Sequence, residues 1–162
     1  MELKTIRIEK PDTVNFILGQ TNSVRMLEDM HDALVSAVPH IGFGVALCEA
    51  SGDRLVRCIG TDAALLELAQ RNAAAIGAGD TFILLFGAGF SARDVLIAIK
   101  AVPGVCGIYC ATANPTEVIV ATTVQGHGII GVIDGFVPNG IETDEDIAWR
   151  RDYLLHVVGY RK

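Results

Sequence analysis

Ile41-Gly-Phe-Gly-Val-Ala-Leu-Cys-Glu-Ala-Ser-Gly-Asp-Arg-Leu-Val-Arg-Cys-Ile59 reads as an apolar strand, Ile41 to Leu47, then a short polar turn, then a second strand leading out. The turn gathers Glu49, Ser51, Asp53, Arg54 and Arg57 within a few residues of two buried strand ends. Polar loops held by a fixed scaffold are where binding and catalytic groups tend to be placed. Taken alone, the segment is a hairpin with a charged tip.

The elements on either side set the fold class. Leu3 to Ile8 alternates apolar with polar as a half-buried strand does, and Val14 to Leu18 follows the Lys10-Pro11-Asp12 turn. From Val24 to Val38 the residues Leu27, Met30, Leu34 and Val38 recur at helical spacing, with Asn22 or Ser23 as the expected cap and Pro39 as the stop. Thr61 is expected to cap a helix through Ile76 that closes on Gly77-Ala78-Gly79. Phe82 to Phe86 is a continuous apolar run, typical of a strand covered on both faces. Ser91 caps a predicted helix to Val102, and strands are expected at Val105 to Ala111, Glu117 to Thr123 and Gly128 to Ile133. A last helix begins near Thr143, whose hydroxyl pairs with Asp146 in the manner of a capping box; it carries Ile147, Trp149, Leu154 and Leu155. Strands interleaved with helices predict one α/β domain over residues 1–162, a three-layer sandwich with a mixed β-sheet and helices on both faces.

Composition narrows the partners. Of 162 residues, 51% are hydrophobic, 20% charged and only 6% aromatic, so the core must be mostly Ala, Val, Ile and Leu. The net charge of −6, with no run of Lys and Arg, argues against duplex nucleic acid or an anionic membrane as the main partner. A nucleotide stays open, because one or two cations with backbone amides hold a phosphate. No apolar run approaches the ~18 residues of a membrane span, and Met1-Glu2-Leu3-Lys4 does not read as a signal peptide. Cys48, Cys106 and Cys110 lie in apolar runs without a CxxC pair, which predicts buried thiols and a cytoplasmic setting. A mean hydropathy of +0.41 is high for a small monomer, and spare apolar surface is often subunit interface.

Candidate chemistry centres on acids beside glycine. Glu49, Asp80 and Asp134 fall at strand edges, where they suit Mg²⁺ and its phosphates, or a hydroxyl proton; the bland alternative is a set of solvated loop acids. Asp134 with Gly135 is also a plain turn pair. Arg54 and Arg57 suit phosphate oxygens or, equally, surface ion pairs. Asn114 has the paired donor and acceptor that read an adenine edge, yet Asn-Pro is also a common turn start. No Walker loop is present, and Gly87-Ala88-Gly89-Phe90-Ser91 is a weak anion candidate between strand and helix. His31, His40 and His156 read as solvated side chains.

Glu49-Ala50-Ser51-Gly52 followed by Arg54-Leu55-Val56-Arg57 resembles the core motif of the adenosine-specific kinase family. Ile8-Glu9-Lys10-Pro11, Leu18-Gly19-Gln20, Glu28-Asp29, Ile76-Gly77-Ala78-Gly79 and Ala98-Ile99-Lys100-Ala101-Val102-Pro103 extend the resemblance in order. So do Ala111-Thr112-Ala113-Asn114-Pro115, Gly131-Val132-Ile133-Asp134-Gly135 and the ending Gly159-Tyr160-Arg161-Lys162, which together span the chain.

The resemblance implies transfer of a phosphoryl group from ATP to adenosine, giving AMP, in a homotrimer whose relay is a phosphorylated histidine. It implies a site built from Glu49, Ser51, Gly52, Arg54, Arg57, Asn114 and Asp134, with Glu49 and Asp134 as Mg²⁺ ligands. At the relay the chain departs from the family pattern. Asp80 stands where a histidine follows Gly-Ala-Gly, Thr21-Asn22 where a second histidine follows Gly-Gln-Ser, and His127 where an arginine is usual. Three expectations follow: Asp80 takes the phosphoryl group itself, as carboxylates do in some ATPases; His127 accepts phosphate or acts as the base; or the relay is lost and the protein only binds a purine nucleoside or nucleotide.

Overall fold

The structure is a computed structural model and describes residues 1–23 and 25–156. Val24, at the start of the first predicted helix, and the Gly159-Tyr160-Arg161-Lys162 motif lie outside the described residues. Among the described residues eight strands and four helices follow one another: β1 (Glu2–Arg7), β2 (Val14–Thr21), α1 (Met26–Ala37), β3 (Phe43–Cys48), β4 (Val56–Gly60), α2 (Ala63–Ile76), β5 (Thr81–Gly87), α3 (Ala92–Lys100), β6 (Val105–Thr112), β7 (Thr116–Thr122), β8 (His127–Asp134) and α4 (Asp144–His156).

Successive side chains of a strand point to opposite faces, and in the five-stranded sheet β4-β3-β5-β2-β6 both faces are apolar. Ile17, Phe43, Val45, Leu47, Phe82, Leu84 and Phe86 pack one way, against Met30 and Leu34 of α1 and Val95 and Ile99 of α3. Phe16, Leu18, Ala46, Ile83 and Leu85 pack the other way, against Leu65, Ala69, Ala73 and Ile76 of α2. Val118 and Val120 of a second, three-stranded sheet, β1-β7-β8, share that second core. Helices, sheet, then helix with small sheet make the three layers of an α/β sandwich.

The expected mixed sheet is corrected: every pairing within the two sheets is antiparallel. The helical crossovers do join strands of like direction, but another strand is inserted between each such pair. β2 and β3 both pair with β5, and β5 and β6 both pair with β2. Each βαβ unit is thus split, and its parallel neighbours never touch.

Helix ends follow local chemistry with two shifts. Ser91 caps α3 through Asp94 N–H, Gly77 closes α2 in the left-handed region at φ 60°, and Thr143 exchanges hydrogen bonds with Asp146 at the start of α4. Asp62, not Thr61, caps α2; the Thr61 hydroxyl is used instead to donate to Ile41 C=O at 2.6 Å and to accept from Phe43 N–H. Arg25 occupies the N-cap of α1 without a side-chain bond, displacing the expected Asn22 or Ser23. The thiols of Cys48 and Cys110 are buried as expected, whereas Cys106 is exposed on the edge strand β6. No helix among the described residues is long and apolar enough to cross a membrane.

Candidate functional site

The charged tip of the opening hairpin is tied together by Glu49. Its backbone N–H donates to Leu55 C=O at 3.1 Å, and its Oε2 accepts from Leu55 N–H at 3.0 Å. Its Oε1 accepts from Arg57 Nε at 2.7 Å, and its side chain is only 7% exposed. Arg57 also lies 3.8 Å from Asp53. The Arg57 hydrogen bond first, and the Leu55 N–H second, hold the Glu49 carboxyl below its ordinary value; the same pairing raises Arg57. Both Glu49 oxygens are therefore engaged, which suits a clamp better than a proton acceptor.

A pH dependence follows. A carboxylate whose value is depressed by folding strengthens the native state above its ordinary 4.5, and that contribution is lost as pH falls through the lower folded value. Hydrogen-exchange protection of the Leu55 amide is expected to hold at about pH 5 and to drop towards about pH 3, with no such drop in Glu49→Gln. Equal protection of the wild-type amide at both pH values would refute the clamp.

Beyond Glu49 the tip turns through Gly52 at φ 65° and Arg54 at φ 53°, with Arg54 N–H donating to Ser51 C=O at 3.3 Å. Ser51, Gly52 and Arg54 are all exposed. Left-handed backbone is uncommon for a residue with a side chain. A second such residue, Asp80 at φ 56°, ends the Gly77-Ala78-Gly79 turn.

That turn is anchored on three sides. Asp80 N–H donates to Cys48 C=O at 2.7 Å, and Asp80 C=O accepts from Thr21 N–H at 2.9 Å. A Cβ on Gly79 would lie 2.8 Å from Ala50 Cβ, so only glycine lets the turn press against the hairpin. The Asp80 carboxylate has no side-chain partner among the described residues, unlike Glu49. The hydrogen bond to Thr21 also puts Asp80 next to Asn22; the two positions at which the sequence pattern led us to expect histidine are neighbours.

His127 holds the turn from the opposite side. Ala78 and His127 form a β-bridge, Nδ1 donates to Ile76 C=O at 3.3 Å, and the ring lies over Gly77. This leaves Nε2 as the ring nitrogen without a partner among the described residues. Between hairpin tip and β8 lies a cleft of about 750 Å³ whose walls include Glu49, Arg54, Leu55, Gly79, Gln125 and His127.

Asn114 and Asp134 belong to a separate cluster. Asp134 Oδ1 accepts from Thr112 Oγ1 at 2.8 Å and from Asn114 Nδ2 at 2.9 Å, locking the β6–β7 turn to the end of β8. Lys10 Nζ braces the same turn at Ala113 C=O, 2.6 Å away. His127 and Asp134 are the two ends of β8, so seven residue steps of about 3.3 Å separate them by roughly 23 Å. Glu49 and Asp134 are not brought together within one protomer, and among the described residues no three acidic, His or Cys side chains converge on a metal position.

The sequence reading overlooked Thr112, although it sits inside the quoted Ala-Thr-Ala-Asn-Pro run; its hydroxyl acquires a role only once β6 and β8 are neighbours. It also gave no role to Leu55 and Val56, although both stand in the quoted Arg54-Leu55-Val56-Arg57 run, nor to Gln125; all three line the cleft.

No curated protein matches the chain. The fold superposes on the crystal structure of the PH1918 protein from Pyrococcus horikoshii OT3 with a TM-score of 0.93, at 43% identity, covering 99% of this chain and 98% of that one. A family model described as adenosine specific kinase matches residues 6–161. The chain belongs to the adenosine-specific kinase family.

Proposed function

We propose that this protein transfers a phosphoryl group from ATP to adenosine, with Asp80 as the group that carries it. The observation that supports this reading is the carboxylate of Asp80, which has no side-chain partner among the described residues and stands in left-handed backbone held by hydrogen bonds to Cys48 and Thr21, next in the chain to Gly79 of the cleft wall. A carboxylate oxygen attacks the γ-phosphorus, the bond to the bridging oxygen breaks, and ADP leaves. The 5′-hydroxyl of adenosine then attacks the acyl phosphate, AMP departs, and the carboxylate is regenerated. On this reading the hydroxyl proton goes to Nε2 of His127, the ring nitrogen not tied to Ile76.

Arg54 supplies charge for the phosphates, and Ser51 and Gly52 shape the tip beside it. Glu49 aligns Arg57 and the tip. Asn114 and Asp134 enter such a site only from another subunit, or serve to lock their own turn. Since Glu49 and Asp134 are committed to protein partners, Mg²⁺ belongs to this reading as the counter-ion of ATP, and no step is routed through it. A homotrimer fits the otherwise unpartnered α4, none of whose residues is buried and on which Trp149 and Tyr153 stack at 5.2 Å. Light scattering at three times 17.2 kDa is its check. A cytoplasmic setting remains part of the proposal.

One observation favours a second reading, a purine-binding module without turnover: neither Asp80 nor its neighbour Asn22 is a histidine. A coupled assay of ATP, adenosine and Mg²⁺ separates the two. AMP formation supports transfer; nucleoside binding without ATP consumption leaves the binding module.

A further inference from the structure

The segment that follows β8 has no core of its own chain beneath it. β8 ends at Asp134, α4 begins at Asp144, and none of the residues of α4 is buried. Ahead of the helix Phe136 and Val137 are each 87% exposed and Ile141 96%; on the helix Trp149, Tyr153 and Leu155 are exposed as well. Trp149 and Tyr153 lie one helical turn apart and stack at 5.2 Å, which makes one apolar stripe. Scattered apolar side chains on a surface are ordinary, but a run of them on an arm without a core marks a protein contact.

A second bare surface lies on the small sheet. Ile6, Val118, Val120 and Val132 point inward to the core shared with α2. Alternation along the strands then puts Leu3, Ile119, Ala121 and Ile133 on the opposite face, with Leu3 directly across from Ala121. Ile130 is the extra residue where the β7–β8 register shifts. Leu3, Ile130 and Ile133 are each half or more exposed. Gly128 and Gly131 share this outer face, and a Cβ on either would meet no heavy atom within 4 Å. Nothing among the described residues covers it.

We propose that the arm 136–156 of one copy of this chain covers the outer face of β1-β7-β8 on a second copy. Both apolar surfaces belong to the same chain, so a single contact takes both out of water. The nine residues 135–143 leave β8 through Gly135 at φ 73° and reach at most about 30 Å, enough to cross to a neighbour. A buried aromatic side chain accounts for about 150–250 Å². Phe136, Trp149 and Tyr153, with Ile141 and Leu155, therefore bring the arm near the ~800 Å² per partner of a stable interface. Arm on sheet is a head-to-tail contact, in which each copy gives one arm and receives one, and such contacts close into rings. The homotrimer proposed above is a ring of this kind; the assignment adds which surfaces meet, and it does not depend on phosphotransfer.

The test is light scattering of the full chain and of two double variants. Phe136→Glu with Trp149→Glu spoils the arm, and Ile130→Glu with Ile133→Glu spoils the sheet face. All four side chains are exposed in their own copy, so both variants are expected to keep the wild-type circular dichroism spectrum. The wild type should run at three times 17.2 kDa and each variant alone at 17.2 kDa. An equal mixture of the two variants is the decisive measurement. One retains an intact sheet face and the other an intact arm, so together they should form a species of twice 17.2 kDa. Should the sheet variant fail to fold, Ile130→Glu alone, at the exposed bulge, replaces it in the mixture. A variant that keeps the wild-type mass, or a mixture that stays at 17.2 kDa, would overturn the docking of arm on sheet while leaving the homotrimer standing. A monomeric wild type, as when each arm folds back on its own sheet, would overturn both.

Discussion

Asp80→Asn is expected to reduce AMP formation from ATP and adenosine by at least ~10⁴-fold, the order seen when a residue of a covalent catalytic unit is removed. Asparagine is nearly isosteric with aspartate and among the side chains most tolerant of left-handed backbone, so φ 56° and the bonds to Cys48 and Thr21 should survive. What disappears is the carboxylate that would carry the phosphoryl group. The melting temperature should stay near that of the wild type, which separates lost chemistry from lost folding. Asp80→His, made alongside, places the residue of the family pattern at the same turn. If the wild type is silent and Asp80→His makes AMP, the proposed phosphotransfer by this chain is wrong and the binding reading takes its place. If Asp80→Asn retains full activity, Asp80 is not the carrier.

The second large effect concerns Gly44, in the middle of β3. A Cβ there would run into the backbone N of Leu66 and the carbonyl of Leu65, at the first turn of α2. Neither atom belongs to a flexible side chain, so the whole helix must move. Its movement would open the core formed by Leu65, Ala69, Ala73 and Ile76 against Ala46, Ile83 and Leu85. Gly44→Ala should therefore sit at the costly end of overpacking, about 3 kcal/mol. For a chain of this size that corresponds to a fall of roughly 6–12 °C in Tm. Thermal unfolding followed by circular dichroism is the check, and a loss under about 1 kcal/mol would show that α2 is not seated on Gly44 as described.

Gly44 also shows where sequence reading stops. It lies inside the apolar strand Ile41 to Leu47, but the reason for it, a helix pressed against bare backbone, depends on Leu65 and Leu66 of a later helix. Strands and helices were legible because their apolar periods are local. The Ser91, Gly77 and Thr143 caps were legible for the same reason. Pairing was not: nothing local tells β2 that it lies between β5 and β6, so the split βαβ units were taken for a mixed sheet. Cys106 was misjudged because an apolar neighbourhood in sequence does not reveal an open sheet edge. In the site, Glu49 and Arg57 were readable as one hairpin cluster, and Asp80 as a glycine-flanked acid. Their contact through Cys48, and the separation of Asp134 from them, arise from register and distance that only folding creates.

The small sheet joins segments that are synthesised far apart in time. β1 is made long before its partner, since its register runs from Glu117 opposite Arg7 to Thr122 opposite Glu2. At bacterial to eukaryotic elongation speeds of about 5–20 residues per second, β1 waits roughly 6–23 s for β7 to be made. The five-stranded sheet is complete by Thr112, before β7 begins, so it can assemble in order while β1 remains unpaired. During that interval Leu3 and Ile6 sit on a strand with two open edges, the kind of segment that recruits a neighbouring nascent chain. Closure of β7 onto β1 is then the event that ends this vulnerable phase of biogenesis, and a chain stalled before Thr122 would carry β1 with both edges unpaired.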